Sequence, residues 1–204
     1  MMYELFPTPV LKSNIGRKIT KEEFDYCSNR EWTNNDSNMI SVHDNILNDD
    51  IMKDILGFIG NQIYHFAHYV YKYDEQKIQF YITQSWLNKT TKGQGHHPHT
   101  HANSIFSGVF YIKANSDSIN ILSKESNKYN NDDFHLPYKG DPDFNHYTTN
   151  EYKMNVDEGD LILFDSKLPH CVTPTNTEER ISLSFNTFVK GDLGSAYHKT
   201  YLHL

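Results

Sequence analysis

The apolar period of the chain changes once, near Tyr73, and that change constrains the fold more than any other feature. Upstream, Ile51, Ile55, Ile59, Ile63, Phe66 and Val70 recur at steps of three and four. Such a stripe belongs to an amphipathic helix packed on a larger layer, with Asn48 as its predicted N-cap. His65 and His68 fall within this helix and read as ordinary surface or core histidines. A shorter helix is predicted before it, where Thr20 and Glu23 have capping-box spacing and Phe24 and Cys27 share a side. Downstream, Ile78, Phe80 and Ile82 alternate with Gln79, Tyr81 and Thr83, the period of a strand. Further strands are predicted over residues 105–113, 118–123, 151–156, 161–164 and 180–189, with a turn at Glu158-Gly159-Asp160. Residues 124–150 are crowded with Asn, Asp, Pro and Gly and read as a long loop. Helices first and short strands afterwards predict a mainly β chain with N-terminal helices, of the α+β class.

The length of 204 residues suits one domain, 1–204, with residues 1–75 as helical support and 76–190 as the β core. An aromatic content of 14% favours a packed core over disorder. The formal charge of −7, without a Lys/Arg run, disfavours nucleic acid as a partner. Cys27 and Cys171 stand far apart and outside any CxxC spacing, so a disulfide framework is not expected and a reducing compartment is. With neither a signal-like N-terminus nor an apolar run of about 20 residues, the expectation is a cytoplasmic protein without a membrane span. No GxGxxG or P-loop supports a nucleotide-binding sheet. In the tail, Tyr197, Tyr201 and Leu202 offer a surface on which a second copy could pack as a homodimer.

Candidate chemistry starts at His96-His97-Pro98-His99-Thr100-His101, where four of the twelve histidines fall within six residues. Imidazole is a ligand for iron, zinc, copper and nickel. Residues two apart on an extended segment project to one side, so His99 and His101 could share an ion, and so could His97 and His99. A His-rich surface loop that takes up metal adventitiously is the plain alternative. A third imidazole, His170, follows the turn-strand stretch 159–164, and Pro169 predicts that the strand ends there with His170 at its mouth. Ten residues on, Arg180 and Ser182 share one face of a strand. A planar guanidinium beside a hydroxyl suits a carboxylate, although Arg180 could instead pair with Glu178 or Glu179 at the surface.

The ordered set resembles the 2-oxoglutarate/Fe(II) oxygenases, and within them a branch of largely unknown substrate. The matching pieces are Leu5-Phe6-Pro7-Thr8-Pro9-Val10, Ser85-Trp86-Leu87-Asn88, His99-Thr100-His101 and Ser107-Gly108-Val109-Phe110-Tyr111-Ile112, then residues 159–164, His170 and Arg180-Ile181-Ser182-Leu183-Ser184-Phe185-Asn186. The resemblance implies a double-stranded β-helix, the jelly-roll or cupin-like architecture. It implies Fe(II) held by His99, His101 and His170, with 2-oxoglutarate as co-substrate and its far carboxylate on Arg180 beside Ser182. Asn88 and Tyr111 are implied pocket residues, while Trp86 reads as packing. The implied activity is hydroxylation of an unidentified substrate using O2, with release of succinate and CO2.

One departure is visible in the sequence. Most such oxygenases use two His and a carboxylate two residues after the first His. Here Pro98, His99, His101 and Asn103 occupy the positions two after His96, His97, His99 and His101. A three-His site, or two His with an open position, is therefore expected. A cupin-like three-His metalloenzyme that ignores 2-oxoglutarate, and a non-catalytic module with a structural metal, are the competing readings.

Overall fold

The computed structural model describes residues 6–123 and 149–204. Leu5 and most of the predicted 124–150 loop lie outside the described residues. Two helices and twelve strands are found among those that are described. Helix α1 (Lys21–Ser28) starts at the predicted box: Thr20 accepts from the Glu23 amide, and the Glu23 carboxylate accepts from the Thr20 amide. Helix α2 (Lys53–His65) starts later than the sequence suggests. Two 3₁₀ turns, Ile46–Asn48 and Asp50–Met52, precede it, because Ile46, Leu47 and Met52 are drawn into the core and the Leu47 amide donates to Ser85 Oγ at 2.9 Å. Met52, not Asn48, holds the cap position. Of the apolar stripe, Ile55, Ile59, Ile63 and Phe66 are buried, while Ile51 and Val70 are exposed. Val70 leaves the stripe because residues 66–70 form a wider π turn, closed by Tyr71 N–H to the Phe66 carbonyl at 3.1 Å.

The first strands are β1 (Val10–Asn14), β2 (Trp32–Asn34), β3 (Met39–Ser41), β4 (Ile78–Thr91), β5 (His96–His99) and β6 (Phe106–Lys113). The others are β7 (Asp117–Leu122), β8 (Glu151–Val156), β9 (Asp160–Asp165), β10 (His170–Val172), β11 (Glu179–Leu193) and β12 (Leu202–His203). The larger antiparallel sheet runs β1-β9-β6-β11-β4-β3-β2, with β12 on the end of β11; the smaller runs β5-β10-β7-β8. The N-terminal region thus supplies strands as well as helices, β1 pairing with β9 and β3 with β4. The two facing sheets are the predicted jelly-roll.

Burial divides the large sheet by residue parity. Ile181, Leu183 and Phe185 of β11 join Leu87, Phe110, Leu161 and Leu163 in a core closed by Ile55, Ile59 and Ile63 of α2. A second cluster, with Tyr111, Ile119, Ile162, Phe164 and Leu168, fills part of the space between the sheets. Gly108 is needed where the strands meet the first core, since a Cβ there would lie 2.3 Å from Cζ of the buried Phe185 ring. Gly159 makes the β8–β9 turn at φ +82°, a backbone that favours glycine. No helix among the described residues is long and apolar enough to cross a membrane. Tyr197, Tyr201 and Leu202 are exposed.

Candidate active site

Between the sheets lies a cavity of about 350 Å³, and every residue singled out from the sequence as a site candidate lines it: His99, His101, His170, Arg180, Ser182, Asn88 and Tyr111. Strand pairing assembles the imidazoles. His99 on β5 and His170 on β10 are direct partners in the small sheet, with ring centroids 4.3 Å apart. His101 follows β5, its amide donating to the Ser166 carbonyl at 2.9 Å, and its ring lies 5.2 Å from both others. One correction concerns His170: it opens its own strand, β10, between β5 and β7, and does not end the preceding one. Strand β9 stops at Asp165, and a turn through Ser166–Pro169 carries the chain across to the other sheet.

The three rings offer one nitrogen each within 4.8 Å of the others. Hydrogen bonds select which nitrogen. His99 Nδ1 contacts the His97 carbonyl at 2.9 Å, His170 Nδ1 the Leu168 carbonyl at 3.0 Å, and His101 Nδ1 the Asn186 Oδ1 at 2.6 Å. A carbonyl oxygen only accepts, so His99 and His170 must carry the proton on Nδ1, which leaves the Nε2 lone pair for a metal. His101 Nε2 is buried without a hydrogen-bond partner, as an unfilled ligand position would be. Burial lowers the pKa of His99 and His101 and takes His170, 3% exposed, down to about 3. All three are therefore neutral imidazoles at neutral pH, the form that binds metal. The alternative register has its own geometry. His96, His97 and His99 form a second close set, but His97 is exposed, and its carbonyl rather than its ring serves His99.

The rest of the cavity is built on the large sheet. Asn88, Ser182 and Tyr111 are neighbours across β4, β11 and β6, so one rung of the sheet carries all three. Arg180 lies two residues from Ser182 on the same face, 4% exposed. Its Nη1 donates to the Ser118 carbonyl at 3.2 Å, its Cζ stands 5.7 Å from the Tyr111 ring centre, and its Nε has no partner. The surface pairing considered from sequence does not form: Glu178 pairs with Lys92, and Glu179 with Lys89 and Lys113. The Tyr111 hydroxyl is also buried without a partner, its pKa pushed up to about 12 by burial, with Arg180 opposing. A guanidinium nitrogen and a hydroxyl left unpaired in one cavity are what an absent carboxylate would satisfy.

Some lining residues escaped the sequence reading. Trp86, read as packing, is in the cavity wall, its ring 5.9 Å from that of His101. Asn35, Asn38 and Ile40 reach the cavity from the N-terminal region, and no local pattern marks them. Asn186 did have a signal: it continues the two-residue step Arg180, Ser182, Ser184.

The family model described as "Putative 2OG-Fe(II) oxygenase" matches residues 84–186, just over half the chain and all of the imidazole and Arg180 segments. The chain belongs to the 2OG-Fe(II) oxygenase family. It is therefore an enzyme of a class that uses Fe(II) and 2-oxoglutarate. No curated protein matches it by sequence. Among solved structures, the 2OG-Fe(II) oxygenase chain is similar to the α-ketoglutarate-dependent epimerase SnoN from nogalamycin biosynthesis, with TM-score 0.58, 11% identity, and 93% and 84% of the two chains covered. It is also similar to a Trichoplax adhaerens prolyl hydroxylase in complex with a hypoxia inducible factor peptide fragment, with TM-score 0.57, 15% identity, and 88% and 83% covered. A Pseudomonas putida prolyl-4-hydroxylase gives TM-score 0.53 at 12% identity, with 88% and 92% covered. These likenesses establish the double-stranded β-helix fold. Three neutral imidazoles lie close enough to share the family's metal, without the carboxylate that most of the family supplies.

Proposed function

We propose that His99, His101 and His170 hold the iron, that Arg180 with Ser182 takes the far carboxylate of 2-oxoglutarate, and that the enzyme hydroxylates a substrate not yet identified. What carries this reading is the pair of opposed ends in one cavity. At one end three imidazoles bring one nitrogen each within 4.8 Å of the others; at the other, a buried guanidinium keeps an unpaired N–H. Bound iron would supply the activation of oxygen, and the overall conversion is 2-oxoglutarate, O2 and substrate to succinate, CO2 and hydroxylated substrate.

The protein's own contribution is orientation and exclusion of water. The carbonyls of His97 and Leu168 fix two rings as acceptors toward the cavity. The forked guanidinium would hold both oxygens of a carboxylate, with the Ser182 hydroxyl beside it. Tyr111 would donate to the same carboxylate, and Asn88, already donating to Ser184 Oγ at 3.0 Å, would define the adjoining wall. Asn35, Asn38, His97 and Trp86 also line the cavity and would offer polar and aromatic contacts to the primary substrate.

The test is turnover of 2-oxoglutarate by purified protein with Fe(II) in air, read as succinate formed. Succinate should appear even in the absence of the primary substrate, as slow uncoupled turnover, and a His170→Ala variant should abolish it. Iron and 2-oxoglutarate binding by calorimetry distinguishes the alternatives. A protein that binds metal but no 2-oxoglutarate would be either the cupin-like three-His enzyme or a module with a structural metal, and the proposal would fail.

A further inference from the structure

Two of the three imidazoles owe their tautomer to backbone carbonyls, which can only accept. His101 differs: its Nδ1 meets a side chain, Asn186, whose carboxamide has an accepting end and a donating end. With Oδ1 toward the ring, the Nδ1 proton is held and Nε2 presents a lone pair to the cavity. With the amide reversed, Nδ1 would accept, and Nε2 would point a proton at the place where the other two rings point lone pairs. We propose that Asn186 is the positioning residue that makes His101 a ligand, an inference that rests on the metal site proposed above.

The surroundings of Asn186 suit the accepting orientation when the Ser107 proton points at it. Its Oδ1 also receives the Ser107 hydroxyl at 2.8 Å, so two donors converge on one oxygen. Ser107 belongs to a cluster of three hydroxyls behind the site, with Ser107 and Ser166 2.7 Å apart and Ser166 and Ser104 also 2.7 Å apart. Ser104 is fixed in turn by the Thr187 amide at 3.2 Å and by the Phe106 carbonyl at 3.0 Å. Ser107 and Ser166 are fully buried, so water does not compete for these bonds. The pairing of β11 with β4 shifts register beside Asn186, with the extra residue, Thr83, on β4.

The choice of amide also has a chemical consequence. A carboxylate in place of Asn186 would accept in either orientation, and would bring a negative charge to the ring opposite the metal. The amide fixes the tautomer and leaves the three-His site without that charge.

Two variants and two measurements test the proposal. Asn186→Asp keeps the acceptor, and Asn186→Leu keeps approximate size without it. In metal-free protein, the ¹⁵N shifts of the His101 ring should report the Nδ1–H tautomer for the wild type and Asn186→Asp, and a shift toward Nε2–H in Asn186→Leu. By calorimetry with Mn(II) alone, Asn186→Leu should bind about 10- to 100-fold more weakly, as loss of a ligand's orienting partner does, with Asn186→Asp at least as tight as wild type. An unchanged His101 tautomer in Asn186→Leu, or unchanged Mn(II) affinity, would overturn the proposal. If Asn186→Leu does not fold, an Nε2–H tautomer in the wild type, or an Asn186→Asp variant that binds Mn(II) tenfold more weakly, overturns it equally. Failure of the wild type to bind Mn(II) would instead count against the metal site itself.

Discussion

Replacing Arg180 by Leu separates a guanidinium that waits for a ligand from one that supports the fold. In the ligand-free chain the side chain is 4% exposed, donates to the Ser118 carbonyl, lies against the Tyr111 ring and keeps Nε unpaired. No carboxylate among the described residues lies within ion-pair distance of it. A buried, incompletely satisfied charge gives little net stability, so an apolar replacement should leave the ligand-free protein within about 1 kcal/mol of wild type or make it more stable. Binding should respond in the opposite way. Two charge-assisted hydrogen bonds at about 1.5–3 kcal/mol each give a loss of about 3–6 kcal/mol. In affinity for 2-oxoglutarate that is a weakening of roughly 10²-fold to 10⁴-fold. The assay is a melting curve of Mn(II)-loaded protein with and without 2-oxoglutarate. At a concentration a hundred times its Kd, the ligand stabilises the wild type by about 2.7 kcal/mol, which for a chain of this size is a rise of roughly 5–10 °C. Arg180→Leu at the same concentration should show almost none of that rise. Wild-type affinity in the variant would refute the anchor, and a collapse of its ligand-free melting temperature would show the guanidinium to be structural.

Two further outcomes test the frame that carries the site. Gly108→Ala should cost about 1–3 kcal/mol, read as a lower midpoint in urea, because the new methyl would fall 2.3 Å from Cζ of a fully buried Phe185; an unshifted midpoint would mean the ring has room to move. Glu23 has its pKa lowered, chiefly by the Arg17 guanidinium that binds both its oxygens, so its contribution is present above the unfolded value near 4.5 and is lost as pH falls through the lower folded value. Glu23→Gln should therefore cost about 1–2 kcal/mol at pH 7, less than for a fully buried pair because Arg17 is a third exposed, and the gap to wild type should close at acid pH; a pH-independent gap would put the effect in the helix cap alone.

How far the sequence reaches can be followed residue by residue. The change from a helical to an alternating period located α2 and β4, and Thr20 with Glu23 located the start of α1, because these are local signals and local geometry answers them. The candidate ligands were legible for a different reason. His99 and His101 are two apart, and the order of the later blocks narrowed the choice, but pairing alone could not be read: that His170 faces His99 across a ladder is a fact about strands 71 residues apart. The misplaced start of α2 has the same origin. Asn48 is a good cap locally, and the long-range bond from Leu47 to Ser85 overrides it. Asn35 and Asn38 reach the cavity through the fold of the N-terminal region, which no spacing in their own segment announces. Asn186 stood in a visible alternation, but its proposed role depends on which end of an amide faces His101, and that involves a contact with Ser107 from another strand.

Strand β11 connects these results, because it does two jobs by parity. Its residues Ile181, Leu183 and Phe185 pack toward α2, while Arg180, Ser182, Ser184 and Asn186 face the cavity. A slip of one residue against β4 or β6 would exchange the two sets, placing a guanidinium and an amide in the core and three large apolar side chains at the site. The packing that stabilises the helical layer therefore also fixes the spacing between the proposed carboxylate anchor at one end and the His101 partner at the other. On this reasoning, the core face of β11 tolerates changes of shape only while the register holds. Substitutions at Leu183 or Phe185 should reach the cavity through Ser182, Ser184 and Asn186 without touching a ligand.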